Sequence, residues 1–454
     1  MKFSMKVLLA VFFIQLTAGC SAKMHVSKND AGTVRQNYFH GEKLPGEELS
    51  MSSVRELYNQ GQYSLTGQVL DKLEISGEAS VEYHIYRGNI CKKQNRLNAA
   101  IGEYNTAIGL LKTSPADSLY RMVYGGLADA YYSQNDFKMS SAYYREYREH
   151  GGEMSSDFIA YLESFEENPY ALNKDVSKTS VKMNYRFGFP YIKVKINNSK
   201  ETELVVDTGA NINLLTQGLA RKFNVRRVAK TKVSMQTRVF GASTGIIDSL
   251  QLGDIVVKNV PVLIADSIFL RAKLFMNNLF APHMKIKGII GLNVLKNFNV
   301  TFDYKNEILE LDIPKNQIEP DEYAGNIYFV NDLIQYPVHV NNVSTVNLLM
   351  DTGVFSSYIY TSPQAFKTLE ESDIETTLGV KFCSFLILPM ICPEKKITNA
   401  TIGLGEYRLS KSVIRRKKIR YPQAIEGLIG NRFFEQFRTS IDFVNMLIEL
   451  EPYE

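Results

Sequence analysis

The sequence predicts a multidomain chain in which an all-α domain of helical repeats precedes an all-β domain of two similar lobes. Two observations predict this order. Apolar residues recur with a helical period from about residue 47 to residue 165, whereas beyond residue 182 they alternate with polar ones, as at Ile192, Val194 and Ile196. The tripeptide Asp-Thr-Gly then occurs twice, at 207–209 and 351–353, each time after apolar residues. A repeat with matching surroundings indicates two copies of one structural unit.

The segment 1–19 has the features of an export signal. Lys2 and Lys6 supply positive charge, and the apolar run at 7–16 is too short to span a bilayer permanently. The run leads into Leu-Thr-Ala-Gly-Cys at 16–20, which resembles the lipobox of bacterial lipoproteins, although Thr17 replaces the usual Leu. The resemblance implies cleavage before Cys20, lipid on its sulfur and anchoring in the bacterial cell envelope. Ser21 favours the outer membrane, facing the periplasm. The alternative is a plain signal peptide with an incidental cysteine.

A polar tether is predicted at 20–46, followed at 47–165 by pairs of helices. Turn residues inside the pairs recur at nearly regular intervals, as Gly61, Asn95 and Asn135. The first of these intervals equals the period of the tetratricopeptide repeat, which the segment resembles, and small and aromatic residues such as Gly88 and Tyr104 stand at matching positions. This resemblance implies a concave surface that can hold a protein partner. A structural spacer is the alternative.

After the helices, a linker is predicted at 166–182, followed by lobes at 183–315 and 316–454. A segment rich in Pro, Asn and Asp at 314–322 separates the lobes. The lobe ends, 291–311 and 430–450, align without a gap, which indicates that the lobes share one fold. The residues that recur in step are Phe298 and Phe437, Asp303 and Asp442, Asn306 and Asn445, Glu310 and Glu449, and Leu311 and Leu450. Asp303 and Asp442 are interpreted as turn residues, not as acids.

Composition and motifs exclude several functions. A formal net charge of +4 on 454 residues is too small for the dense basic face of a nucleic-acid-binding protein. The basic run at 415–420 is interpreted as a solvated loop or edge strand, with contact to anionic lipid as the alternative. The six histidines are scattered, and neither an HExxH pair, nor a GxSxG elbow, nor a phosphate-binding loop occurs. No metal and no cofactor are therefore expected.

The two tripeptides carry the predicted chemistry. Each aspartate, Asp207 and Asp351, is expected on a tight turn that exposes its carboxylate while the surrounding chain is buried. Gly209 and Gly353 let the backbone turn and allow the partner lobe to approach closely. The hydroxyls of Thr208 and Thr352 are expected to bond across to the other loop. Two adjacent carboxylates share one proton, so one activates a water as general base while the other polarises a peptide carbonyl.

On these motifs, residues 183–454 resemble the aspartic proteases of the retropepsin/pepsin group, in a single-chain form with short lobes. The resemblance implies that the two Asp loops meet at a pseudo-two-fold axis, that one chain is active as a monomer, and that a hairpin flap closes over the substrate. The flap of the first lobe is expected at 239–245, with candidates Phe240, Gly241 and Ala242 and with its glycines at the hairpin tip.

The second flap is expected at about 382–393, which lacks glycine but contains Cys383 and Cys392. An export signal permits a disulfide between these cysteines, which would stiffen the hairpin; two unrelated thiols are the alternative. The residues that follow the tripeptides, Ala210 and Val354, lack the hydroxyl that is common there in pepsins. Without it the pKa values of the dyad are expected to be higher, with activity extending toward neutral pH.

The predicted function is that of a membrane-anchored aspartic endopeptidase, whose helical repeats position a protein substrate or partner. Its substrate is a peptide or protein, and its membrane contact is the lipid on Cys20. Two alternatives from other classes remain. The chain is a catalytically inactive lipoprotein that binds peptides with a protease-like fold, or it is a scaffold that acts through its repeats. Both intact aspartates count against the first alternative.

Overall fold

The computed structural model describes residues 25–28, 49–112, 117–173, 175–186, 188–235, 238–265, 286–314, 325–342, 344–354, 358–371, 376–385, 388–404, 407–416 and 424–453. The predicted signal peptide, Cys20, most of the tether and most of the segment between the lobes lie outside these residues. Among the helices that are described, none combines the length and the apolar character that a bilayer span requires.

The N-terminal region is helical, as predicted. Its helices are α1 (Met51–Asn59), α2 (Tyr63–Ile75), α3 (Val81–Lys93), α4 (Leu97–Leu111), α5 (Asp117–Ser133), α6 (Phe137–Glu149) and α7 (Ser156–Glu163). The turns between α1 and α2, α3 and α4, and α5 and α6 contain Gly61, Asn95 and Asn135, with φ of 77°, 56° and 63°. Glycine and asparagine adopt this left-handed conformation most readily, which is why these residues end one helix and begin the next.

The rest of the described chain is rich in β-strands, also as predicted. Before the first half stands β1 (His25–Lys28). The first half contains β2 (Ala171–Leu172), β3 (Lys178–Arg186), β4 (Phe189–Ile196), β5 (Thr202–Val206), β6 (Asn213–Thr216), α8 (Gln217–Lys222), β7 (Arg226–Met235), β8 (Arg238–Leu252), β9 (Ile255–Ala265), β10 (Gly288–Ile290), α9 (Leu292–Leu295), β11 (Asn299–Asp303) and β12 (Ile308–Asp312). The second half contains β13 (Tyr328–Val330), β14 (Leu333–Val340), β15 (Ser344–Asp351), β16 (Tyr358–Thr361), α10 (Pro363–Glu371), β17 (Thr376–Phe385), β18 (Leu388–Leu404), β19 (Tyr407–Arg416), β20 (Gly427–Gly430), α11 (Asn431–Phe434), β21 (Phe437–Asp442) and β22 (Leu447–Pro452).

The strands that lead to the two tripeptides have the same neighbours in both halves. In the first half, β10 lies between β5, to which it is parallel, and β6, to which it is antiparallel. In the second half, β20 lies in the same way between β15 and β16. The short apolar runs of β5, β10, β15 and β20 are therefore interior strands, and their burial fixes the turns that follow them.

One sheet joins the two halves, in the order β22-β21-β11-β12-β3. β11 and β21 are antiparallel, with Thr301 opposite Ser440 and their hydroxyl oxygens 2.9 Å apart. These two residues also stand at equivalent positions in the aligned lobe ends. At the turns that follow, the carboxylates of Asp303 and Asp442 accept from the backbone N–H and the side-chain amide of the next asparagine in each turn. They are turn residues, as interpreted from the sequence.

Strand β3 begins inside the predicted linker. Residues 178–182 pair with β12, and β2 at 171–172 pairs with β9, so the segment predicted as a linker contains strand residues. Thr179, Val181 and Met183 alternate as buried residues along this strand. The alternation was missed because its intervening residues are Ser and Lys, which are typical of loops, and because its pairing partner β12 lies at the other end of the lobe in sequence.

The helical region packs directly against both halves of the β-rich part through its three left-handed turns. Gln335 Nε2 donates to the carbonyl of Gly61 (3.5 Å), Asn95 Nδ2 to the carbonyl of Phe443 (2.8 Å), and Asn135 Nδ2 to Asn297 Oδ1 (3.1 Å). Apolar residues of α1 to α3 share one continuous core with the β-rich part. The helices are therefore part of the body of the molecule.

Strand β1 lies within the predicted tether, where no regular structure was expected. It pairs antiparallel with β19, with His25 opposite Ser410 and Lys28 opposite Tyr407. A strand added in this way covers the open edge of a sheet, which otherwise presents unpaired backbone groups. The polar composition of the tether gave no indication of it.

Candidate active site

Each of the two aspartates stands at the buried end of its strand. The side chains of Val205 and Val206, which precede Asp207, and of Leu349 and Met350, which precede Asp351, have no exposed surface. Strands β5 and β15 are paired on both sides, so neither can shift without breaking its sheet. The turns that carry the aspartates are therefore positioned by the core of each half.

Four hydrogen bonds join the two turns: two between the threonines themselves and two from their hydroxyls to carbonyls of the opposite strands. The backbone N–H of Thr208 donates to Thr352 Oγ1, and the N–H of Thr352 donates to Thr208 Oγ1, each at 3.0 Å. The hydroxyl of Thr208 donates to the carbonyl of Met350, and that of Thr352 to the carbonyl of Val206, again at 3.0 Å. Both threonines are fully buried, so all four bonds form away from water.

The glycines of the two turns make room for the opposite carboxyl group. A Cβ atom on Gly209 would lie 2.3 Å from Asp351 Cγ, and one on Gly353 would lie 2.4 Å from Asp207 Cγ. The N–H of Gly209 donates to Asp207 Oδ1 (2.8 Å), and that of Gly353 donates to Asp351 Oδ1 (2.9 Å). Each carboxyl group is thus oriented by its own turn and lies against the other turn.

Both aspartates are 0% exposed, so the expectation of exposed carboxylates was wrong. Removal from water penalises the charged form, and burial raises the pKa of Asp207 to about 7. The N–H of Gly209, the Asp351 carboxyl group and the N–H of Gly353 act in the opposite direction but do not overcome it. The main cause is therefore burial rather than the missing hydroxyl at Ala210. Near neutral pH the pair retains a proton.

Two short helices support the turns from behind, and the sequence did not indicate them. The N–H of Leu292, at the start of α9, donates to the carbonyl of Ala210 (2.7 Å), and the N–H of Asn431, at the start of α11, donates to that of Val354 (2.7 Å). Asn431 also donates through Nδ2 to the carbonyl of Gly188 in the other half (3.0 Å) and accepts from the hydroxyl of Tyr304. Leu292 has no polar side chain, so the two supports differ.

A long hairpin of β7 and β8 corresponds to the predicted flap of the first lobe, but its turn is not at the predicted glycines. Phe240, Gly241 and Ala242 lie on β8, paired with Val233, Lys232 and Thr231. β7 ends at Met235 and β8 begins at Arg238, so the predicted tip was misplaced. Gly245 instead allows the backbone of β7 to approach β8 closely, because a Cβ at this position would lie 2.9 Å from the carbonyl oxygen of Arg226.

The second hairpin, of β17 and β18, spans the predicted segment 382–393. Its register places Cys383 opposite Met390 and Cys392 opposite Lys381, so the two cysteines are diagonal neighbours. Diagonal positions are about 7–8 Å apart, which is longer than the usual Cα separation in a disulfide. The side chains of both cysteines lie outside the described part of the hairpin. The disulfide stays a prediction, and the register counts against it.

Comparison with known proteins agrees with this geometry for the first half of the β-rich part. Residues 192–294 match the family model described as aspartyl protease, a span that includes the first tripeptide but not the second. The matched segment is therefore similar to that family. No curated protein matches the sequence. Among solved structures, the crystal structure of aspartic proteinase from Irpex lacteus aligns with 61% of this chain and 98% of its own, at 12% identity and a TM-score of 0.36.

Proposed function

We propose that this chain is an aspartic endopeptidase in which Asp207 and Asp351 form the catalytic dyad. The observation that carries the proposal is the pair of buried carboxyl groups, one from each half, oriented by glycine N–H groups and joined through reciprocal threonine bonds. With the pKa of Asp207 raised to about 7, the pair holds one proton near neutral pH. That is the protonation state which a water-activating dyad requires.

In the proposed reaction the ionised carboxylate takes a proton from a water molecule, whose oxygen attacks the peptide carbonyl carbon. The protonated carboxyl group donates its proton to the carbonyl oxygen, which gives a tetrahedral diol. In the second step the carboxyl group that took the proton from water gives it to the departing amine, and the other takes a hydroxyl proton back as the C–N bond breaks. One chain supplies both carboxyl groups, so the proposed enzyme acts as a monomer.

The membrane anchor belongs to the same proposal. The lipobox-like residues at 16–20 support lipid on Cys20 and a location in the cell envelope, at the outer membrane facing the periplasm. The chain from Cys20 to His25 reaches at most about 18 Å when fully extended. Since β1 starts at His25, a lipid on Cys20 would bring the β-rich part close to the membrane surface.

The helical region is proposed to position a protein substrate or partner, as its similarity to tetratricopeptide repeats suggests. Deleting residues 47–165 is a poor test of that role, because α1 to α7 cover apolar residues of the β-rich part such as Ile246 and Tyr328. Exposing those residues would destabilise the whole molecule. Substitutions on the outer face of the helices test the role without this effect.

The decisive experiment compares Asp207→Asn and Asp351→Asn with wild type in the hydrolysis of a denatured protein mixture. Asp442→Asn is the matched control, because Asp442 is also a carboxylate fixed by amides of its own turn but belongs to the turn at the end of β21 and not to either tripeptide. Both dyad variants should lose hydrolysis while Asp442→Asn retains it. If the dyad variants hydrolyse as wild type does, the enzyme proposal fails. If wild type binds peptide without cleaving it, the peptide-binding alternative replaces it.

A further inference from the structure

The last helix of the helical region contacts the hairpin of β7 and β8 through one hydrogen bond and an apolar cluster. Tyr161, on α7, is 1% exposed, and its hydroxyl donates to the carbonyl of Gly245 on β8 at 2.9 Å. Ile246, the next residue on β8, is completely buried in a cluster with Phe137 and Phe165 of the helical region. This surface of the hairpin therefore packs against helices instead of water.

The contact falls where the hairpin is irregular. Arg227 pairs with Gly245 and Ala229 pairs with Thr244, so Val228 is an extra residue on β7. Val228 also packs against the apolar cluster that contains Tyr161. A β-bulge bends a strand pair and increases its local twist, so the angle at which the hairpin projects depends on the geometry at this point.

The hairpin is long enough for that angle to matter. The part of β8 from Arg238 to Thr244 extends beyond the contact with Tyr161. Residues 242–244 also pair with β9, so 238–241 and their partners on β7 form the part that projects as a two-stranded hairpin. At about 3.3 Å per residue, this projecting part is roughly 13 Å long. A change of about 10° at its base would therefore displace its far end by roughly 2 Å, enough to break a hydrogen bond to a substrate.

We propose that Tyr161 is a positioning residue for the active site, which fixes the angle of the β7–β8 hairpin and so its closure over a peptide substrate. The inference rests on the proposed function, in which this hairpin is the flap of the first lobe. In this proposal α7 influences substrate affinity by holding the base of the flap, and the helical region does so without touching the substrate.

The test compares Tyr161→Phe with Tyr144→Phe. Tyr144 belongs to the same cluster, and its hydroxyl donates to Asp129 (2.7 Å) inside the helical region. Tyr144→Phe therefore also removes one tyrosine hydrogen bond, but not one made to the hairpin. Tyr161→Phe should raise hydrogen exchange at the amides of 238–244 roughly tenfold, the effect of one lost hydrogen bond. The KM for a long peptide should rise by a similar factor, with kcat and the pH profile unchanged. Tyr144→Phe should resemble wild type in all of these measurements.

Equal exchange at 238–244 in the two variants would overturn the proposal, as would an unchanged KM for Tyr161→Phe. If Tyr161→Phe fails to fold, Val228→Ala reduces the same contact at the bulge without removing a hydrogen bond, and it should show the same exchange pattern. The exchange measurement needs no catalysis. Wild type that cleaves no peptide would end the proposed function, while the exchange at 238–244 would still decide whether Tyr161 fixes the hairpin.

Discussion

Replacing Thr208 by valine removes one hydroxyl group and retains the shape of the side chain. In the folded chain that hydroxyl donates to the carbonyl of Met350 and accepts from the N–H of Thr352, so the replacement deletes two of the four bonds between the turns. The N–H of Thr352 and the carbonyl of Met350 are left in a region without exposed surface, where water cannot replace the lost partner.

The cost follows from those two groups. A buried backbone group that loses its partner costs about 1–3 kcal/mol, so Thr208→Val should lower the free energy of unfolding by roughly 2–6 kcal/mol. Thr352→Val should lower it by a similar amount, because it removes the other two bonds. Since the same bonds align the carboxyl groups, kcat should fall roughly a hundredfold in either variant, the order of loss that a displacement of about 1 Å produces.

Urea unfolding and hydrogen exchange at the amide of Thr352 measure the effect, and Thr66→Val is the control. Thr66 is also fully buried, but its hydroxyl donates to the carbonyl of Gln62, which already accepts from the N–H of Thr66. That variant leaves no group unpaired and should cost less than about 1 kcal/mol. If Thr208→Val and Thr66→Val differ by less than about 0.5 kcal/mol, the threonine bonds do not join the two halves.

Two further predictions concern the dyad. Because burial raises the pKa of Asp207 to about 7, this carboxyl group binds its proton more tightly in the folded state than in the unfolded state. Its protonation therefore stabilises the fold fully below pH 3.8, and this contribution is lost as the pH rises to about 7. The pH–rate profile should therefore lose activity on its alkaline side near pH 7. Ala210→Ser supplies a hydroxyl donor and should shift that alkaline side to lower pH. A profile confined below about pH 4 would contradict this prediction. Gly353→Ala places a Cβ 2.4 Å from Asp207 Cγ, so peptide hydrolysis should fall at least roughly a hundredfold. The circular dichroism of the helices should stay unchanged. Activity close to wild type would show that the two turns have room for a Cβ atom at this position.

The sequence was informative where conformation depends on neighbours in the chain. The helical period, the alternating strands and the left-handed turns at Gly61, Asn95 and Asn135 all follow from local rules, and the structure has them where they were predicted. The repeated tripeptide also singled out Asp207 and Asp351, and in the structure the glycine of each tripeptide lies against the aspartate of the other.

The features that were missed depend on residues distant in sequence. Asn431 contacts Gly188 in the other half, β1 pairs with β19 across most of the chain, and neither segment carries a local signal for its partner. The misplaced flap tip has a related cause. Glycine favours a turn when considered alone, but Gly245 is required because the backbone of Arg226 approaches it from the neighbouring strand.

The pairing of β11 with β21 also sets when the two halves can be joined through this sheet during synthesis. Chains fold domain by domain as they emerge, and the first half of the β-rich part is complete long before the second. β21 and β22 occupy 437–452 and follow the rest of the second half in sequence, so the joining sheet forms only after they have been made. A truncation that removes only 437–454 would delete β21 and β22 from the joining sheet and leave both Asp-Thr-Gly tripeptides, so the threonine bonds would have to hold the two turns together without that sheet.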